Sequence, residues 1–180
     1  FGHDNWAQTA PGLKTVEDAL EMRRKILLSF EAAERETDPE KQKEWMTFLI
    51  IGAGPTGVEL AGTIGELTRT TLKDDFRNIN TEDAKIILVE GLGQVLPTYP
   101  ADLSEKAEKF LKKLGVTIKT NAMVTDIKDS KATISRNGES ETIQSRTILW
   151  TAGVKASSLG KALAKNTGAQ LDKSGRILVN

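Results

Sequence analysis

Thr47-Phe-Leu-Ile-Ile-Gly-Ala-Gly-Pro-Thr-Gly-Val-Glu-Leu-Ala-Gly62 is the stretch on which the architecture turns. Residues 47–51 form an unbroken apolar run with β-branched members, the pattern of a strand buried in a parallel sheet. Gly52, Gly54 and Gly57 follow at once as a G-x-G-x-x-G turn, and Val58 to about Leu72 reads as a helix. That glycine spacing is weak evidence alone, but between a strand and a helix each glycine has a job. Gly52 permits the tight turn, Gly54 lets a pyrophosphate approach the backbone, and Gly57 lets the helix pack against the strand. Past Pro55, which has no N–H of its own, the backbone N–H groups from Thr56 on, with the positive end of the helix dipole, then face the phosphates.

Downstream, a polar insert, Lys73–Ala84, leads into a second buried strand that closes with Glu90. An acid at this point accepts hydrogen bonds from both hydroxyls of an adenosine ribose and repels a 2′-phosphate, which favours NAD(H) over NADP(H). From Gly57 to Glu90 is 90 − 57 = 33 positions, against about 20 in the usual fingerprint. The insert absorbs the excess, because it loops out before the strand without moving the strand's end. The competing reading is the glycine-rich turn of another nucleotide-binding fold, such as a methyltransferase, with Glu90 merely ending a strand.

Asp102–Leu114 reads as a helix with Leu103, Ala107, Phe110, Leu111 and Leu114 on one side; Gly115 ends it, and 116–119 is a third strand. The pattern then changes. From Ala122 to Gln144 short alternating segments are separated by Asp129-Ser130 and Asn137-Gly138, and Asn-Gly between such runs signals a hairpin. Arg146–Trp150 returns to a buried-strand pattern and runs into Thr151-Ala-Gly-Val154, and Arg176–Asn180 is again strand-like. Upstream, Thr15 and Asp18 form a capping-box pattern before a helix whose apolar side carries Leu20, Ile26, Leu27, Phe30 and Ala33. That helix is expected to stop before Thr37-Asp38-Pro39.

The expected fold is therefore α/β: a Rossmann-like parallel sheet with helices on both faces plus a small antiparallel β-meander. Residues 1–46 read as a leading segment with a linker helix, and 47–180 as the NAD(H)-binding domain.

Composition narrows the function classes. The 180 residues suit one domain, and 25 basic residues balance 25 acidic ones, so no overall field draws nucleic acid or an anionic membrane. No apolar run approaches the roughly 18 residues that span a bilayer. With no cysteine there is no disulfide framework or thiolate nucleophile, which fits a cytoplasmic setting. His3, the only histidine, lacks partners that would make it a ligand or base, and no carboxylate spacing marks a metal site. Arg69, Lys73 and Arg77 read as a solvated face rather than a phosphate clamp, and Trp150 as core at a strand end. Glu59 is the one catalytic candidate. A carboxylate in a helix's first turn gains from the dipole, yet it would repel a pyrophosphate there unless it points sideways, towards the nicotinamide.

Residues 50–62, Ile-Leu-Val-Glu (87–90), Leu-Trp-Thr-Ala-Gly-Val (149–154), Ala-Pro-Gly-Leu-Lys-Thr-Val-Glu-Asp-Ala-Leu (10–20) and Asp-Phe-Arg-Asn-Ile (75–79) resemble those of type II NADH:quinone oxidoreductases. The resemblance runs across nearly the whole chain. It implies a flavoprotein with two dinucleotide-binding domains, in which hydride passes from NADH to FAD and electrons pass on to a membrane quinone. It implies Glu59 near the nicotinamide–flavin junction, Glu90 on the adenosine ribose, and Ala152 and Gly153 lining the nicotinamide side. One glycine-rich unit is present rather than two. The chain is therefore expected to be the NADH-binding piece, with the FAD-binding domain and quinone site elsewhere in a parent peripheral to the cytoplasmic face of the membrane. A homodimer stays open. So do two alternatives: the NAD(P)H domain of another flavoprotein disulfide or ferredoxin reductase, and a non-catalytic NAD(H)-binding module.

Overall fold

A computed structural model describes residues 6, 8–153, 156–172 and 174–179. Phe1, His3 and Val154 lie outside the described residues. Four parallel strands, β1 (Thr47–Ile51), β2 (Lys85–Val89), β3 (Val116–Lys119) and β7 (Thr147–Trp150), form one sheet in the order β3-β2-β1-β7. The antiparallel β4 (Ala122–Lys128), β5 (Lys131–Arg136) and β6 (Glu139–Gln144) form a second. Among the described residues, five α-helices accompany them: α1 (Val16–Arg35), α2 (Pro39–Trp45), α3 (Pro55–Glu66), α4 (Ala101–Lys113) and α5 (Ser158–Thr167).

All five residues of β1 are buried, and side chains alternate between faces along a strand. Phe48, Ile50, Ile86, Leu88 and Leu149 pack with Met22, Ile26, Phe30 and Ala33 of α1, Ala61 and Ile64 of α3 and Leu111 of α4. Leu49, Ile51, Val89 and Ile148 point the other way, onto Val124, Ile127, Ala132 and Ile134 of the second sheet and onto Trp6 and Ala10. The Rossmann-like α/β class with an added meander is as the sequence leads one to expect. The covering of the second face differs: the meander lies there, because residues 120–146 make the crossover from β3 to β7 in place of a helix. An unbroken apolar strand reports burial on both sides, and is silent on whether helix or sheet does the burying.

Local signals account for most helix ends. Thr15 and Asp18 form the reciprocal capping box of α1, which satisfies two of the N–H groups a helix start leaves without partners. Leu20 is 58% exposed, so the buried stripe of α1 runs through Met22, Ile26, Ser29, Phe30 and Ala33 instead. The Phe30 ring packs tilted against Phe48 at 5.1 Å, which makes α1 a layer of the core. In α4 Leu103 and Phe110 are likewise exposed while Ser104 and Leu111 are buried; Lys113 covers the Phe110 ring. Pro39, which ends α1's reach, also opens α2 behind the Asp38 cap. α5 was not expected; Leu159, Ala162 and Leu163 share one side of it, yet it has no buried residue. Arg176–Asn180 contributes only an isolated bridge between Leu171 and Ile177, and Asn180 lies outside the described residues.

The polar insert is anchored. The Glu34 carboxylate accepts from the backbone N–H groups of Arg77 (3.0 Å) and Asn78 (2.9 Å). Desolvation pushes that carboxyl up, but these donors outweigh it and hold it below the usual range. Insert and helix are thereby tied, and β2 starts from a fixed point.

Candidate functional site

The carboxyl ends of the parallel strands meet at the glycine turn, where open α/β sheets bind ligands. Gly52 has φ +101°, and a Cβ there would stand 2.6 Å from the Ala152 Cα. A Cβ on Gly57 would collide with the Gly52 carbonyl oxygen and stand 2.7 Å from Thr151 Oγ1. Both glycines are thus required by the chain's own packing. Gly54 is different. Its φ is −70°, its ψ is −177°, and nothing lies within 4 Å of where its Cβ would be. Internal packing does not require a glycine there, and the open backbone is what an approaching phosphate needs. Gly54 caps α3 without a side-chain hydrogen bond and Pro55 occupies the first turn, so the following N–H groups at Thr56 and Gly57 belong to the orphan donors of a helix start.

The turn is held from three sides. The Ala53 N–H donates to Glu90 Oε2 at 2.7 Å, and the Ala53 carbonyl accepts from the Leu96 N–H at 2.7 Å. The Thr151 hydroxyl lies 2.9 Å from the Ile51 carbonyl and 2.8 Å from that of Gly52. Thr151 N–H also donates to the Ile51 carbonyl at 2.8 Å, extending the β1–β7 pairing past its last strand residues. Trp150 is half-buried beside this corner; its Nε1 donates to the Ala152 carbonyl at 2.8 Å and its ring tilts against Trp6 at 5.9 Å.

Of the residues singled out in sequence, Gly52, Gly57, Glu90 and Ala152 are gathered at this corner, with Gly54, Pro55 and Thr56 on its exposed lip and Gly153 next in the chain. Glu59 requires a correction. α3 begins at Pro55 rather than Val58, so Glu59 falls in the second turn, and no acid lies in the first. It is exposed, and the dipole argument for it weakens because that effect fades beyond the first turn. Arg69 lies against Gly115 and Lys73 pairs with Glu82 at 3.0 Å, so neither serves the turn. Sequence reasoning missed Thr151, Ala53 and Leu96. Thr151 was legible in principle, as a hydroxyl at a strand end beside a glycine turn.

Among the described residues, no cluster of His, Cys, Asp or Glu could hold a metal ion, and no helix is long and apolar enough to cross a membrane. A cleft of about 350 Å³ lies at the other end of the strands, lined by Pro39, Gln42, Lys43, Met46, Asn78 and Asp83. The glycine corner is a rim rather than a cavity. Chemistry favours the rim: it offers unpaired donors, an acid and an open backbone together.

A family model described as pyridine nucleotide-disulphide oxidoreductase matches residues 7–180. The chain is 46% identical to the type II NADH:quinone oxidoreductase Ndh of Mycobacterium tuberculosis over 99% of its own length and 39% of that protein's. It is 43% identical to NdhA of the same organism, over 99% of this chain and 38% of that one. The chain therefore spans about two fifths of these curated relatives. In fold it is similar to NDH2 from Plasmodium falciparum, solved in complex with NADH, with TM-score 0.80 and 24% identity over 92% of this chain and 34% of that one.

Proposed function

The chain belongs to the pyridine nucleotide-disulphide oxidoreductase family, and we propose that it is the NADH-binding domain of an FAD-dependent NADH:quinone oxidoreductase. The observation that carries this reading is the open backbone at Gly54 beside a carboxylate, Glu90, fixed 2.7 Å from the neighbouring Ala53 nitrogen. The 46% identity to a type II NADH:quinone oxidoreductase supports the choice of quinone over a disulfide or ferredoxin as the parent's electron acceptor. Residues 47–180 are the nucleotide-binding body, and α1 of the preceding segment packs on it through Met22, Ile26, Phe30 and Ala33. FAD and quinone are bound by the remainder of the parent, a peripheral protein of the cytoplasmic face.

When bound, NADH supplies the hydride and FAD accepts it; the chain's own residues bind and orient. The pyrophosphate sits over Gly54, facing the N–H groups of Thr56 and Gly57 at the positive end of α3. Glu90 receives the adenosine ribose hydroxyls and repels a 2′-phosphate. Ala152 and Gly153, which carry little side-chain bulk, leave room for the nicotinamide ring along the backbone. Glu59 is an orienting group on the nicotinamide side rather than a general base.

Calorimetric titration with NADH, NADPH and S-adenosylmethionine tests the reading. NADH is expected to bind at least tenfold more tightly than NADPH. Binding of S-adenosylmethionine alone would sink the oxidoreductase reading in favour of a methyltransferase-like module.

A further inference from the structure

Glu90 has a second attachment that ribose recognition alone does not require. Its backbone is fixed from below: its N–H donates to the Lys119 carbonyl at 2.8 Å, and its carbonyl accepts from the Ala122 N–H at 2.9 Å. Its side chain reaches sideways, Oε2 taking the Ala53 N–H at 2.7 Å and Oε1 the Leu92 N–H at 3.0 Å. One carboxylate thus ties the glycine turn to the end of β2 and to the loop that follows. Ala53 is itself fully buried, and its carbonyl is held by the Leu96 N–H. The peptide units on both sides of Ala53, just before the open Gly54, are therefore set by hydrogen bonds from outside the turn. An ionised carboxylate has about four acceptor positions. Two are spent on backbone, and the remainder are available to two ribose hydroxyls.

We propose that Glu90 is a positioning residue for the pyrophosphate-binding turn as well as the acceptor of the adenosine ribose. This rests on the dinucleotide reading above and deepens it. The consequence concerns specificity. Removing the carboxylate lifts its repulsion of a 2′-phosphate, but it also releases Ala53 and misdirects the donors beyond Gly54. Preference for NADH over NADPH is then lost by weakening NADH, with no gain for NADPH.

The two roles separate with a ligand that lacks the groups Glu90 recognises directly. Wild type, Glu90→Ala and Glu90→Gln are titrated with NADH, with NADPH, and with the NADH analogue whose adenosine ribose is 2′,3′-dideoxy. A Glu90 that acted only on the hydroxyls would leave the analogue's affinity unchanged in Glu90→Ala. At most the affinity would rise, because an anion near the pyrophosphate is gone. Positioning predicts the opposite sign: a loss of about tenfold for the analogue, the scale of one charge-assisted hydrogen bond. Glu90→Gln keeps a carbonyl oxygen for the Ala53 N–H. It is expected to restore the analogue to within about threefold of wild type while failing to restore full preference for NADH over NADPH. Rescue by glutamine also guards against a Glu90→Ala chain that merely folds badly. Unchanged or improved analogue binding in Glu90→Ala, or loss in Glu90→Gln equal to that in Glu90→Ala, overturns the positioning role and leaves the ribose role intact. Failure of the wild type to bind NADH overturns both.

Discussion

The two ends of β1 differ in how their polar groups are closed. At the amino end the Thr47 hydroxyl donates to the Lys43 carbonyl at 2.7 Å, and the buried Ser145 hydroxyl lies 2.6 Å from the Thr47 carbonyl. Lys85 N–H meets the Met46 carbonyl, and Arg146 pairs with Glu44 at 2.9 Å. At the strand's own end, backbone and side chains satisfy one another. At the carboxyl end side chains also reach across, Glu90 to Ala53 and Thr151 to Ile51 and Gly52, but they hold a turn whose outer donors stay uncommitted. The lesson is that concavity and binding chemistry need not coincide. A site is better recognised by backbone that the fold holds rigid yet leaves open.

Gly57→Ala tests that contrast most severely. Its methyl group would drive into the Gly52 carbonyl, and backbone has no cheap way to yield, so a destabilisation of about 3 kcal/mol is expected with loss of NADH binding. Thermal unfolding and titration read both effects. Ser145→Ala, at the closed end, comes next. It removes the buried hydroxyl's links to the Thr47 and Thr147 carbonyls and should cost about 1–3 kcal/mol of stability, with NADH affinity in the folded protein unchanged. A fall in affinity would mean that the two ends are coupled. Gly54→Ala is the subtlest, since its Cβ enters open space. Stability is expected to stay within about 0.5 kcal/mol of wild type, while NADH affinity drops about tenfold or more as the methyl group occupies the phosphate's approach. An unchanged affinity would remove Gly54 from the site.

How much of this was legible in the sequence depended on whether a signal was local. β1 is found at its expected bounds, because five apolar residues against a glycine turn leave little freedom. The capping box at Thr15 and Asp18 is likewise a matter of neighbours three apart. α5 was missed although Ser157 caps its start, Gly168 follows its end and Leu159, Ala162 and Leu163 share one side, since three small-to-medium apolar residues make a short stripe, and the structure leaves Leu159 and Leu163 exposed. Leu20 misled for a related reason: a helical stripe can be drawn through it, and only the position of the sheet selects Met22 instead. In the candidate site, the glycines were readable from spacing and Glu90 from its place at the end of a buried strand. The Thr151 clamp and the Glu90–Ala53 bond join segments far apart in the chain, and no periodicity reports such a meeting.

The meander between β3 and β7 also bears on how the chain reaches its shape. β1 can pair with β2 as soon as both exist, but its other edge stays bare until everything from Gly52 to Arg146 has been made and β7 docks. Contacts of such long sequence separation form slowly, and an unpaired strand edge is a template for wrong partners in the interval. Thr151 arrives with β7, so the glycine turn acquires its last clamp only when the sheet itself closes.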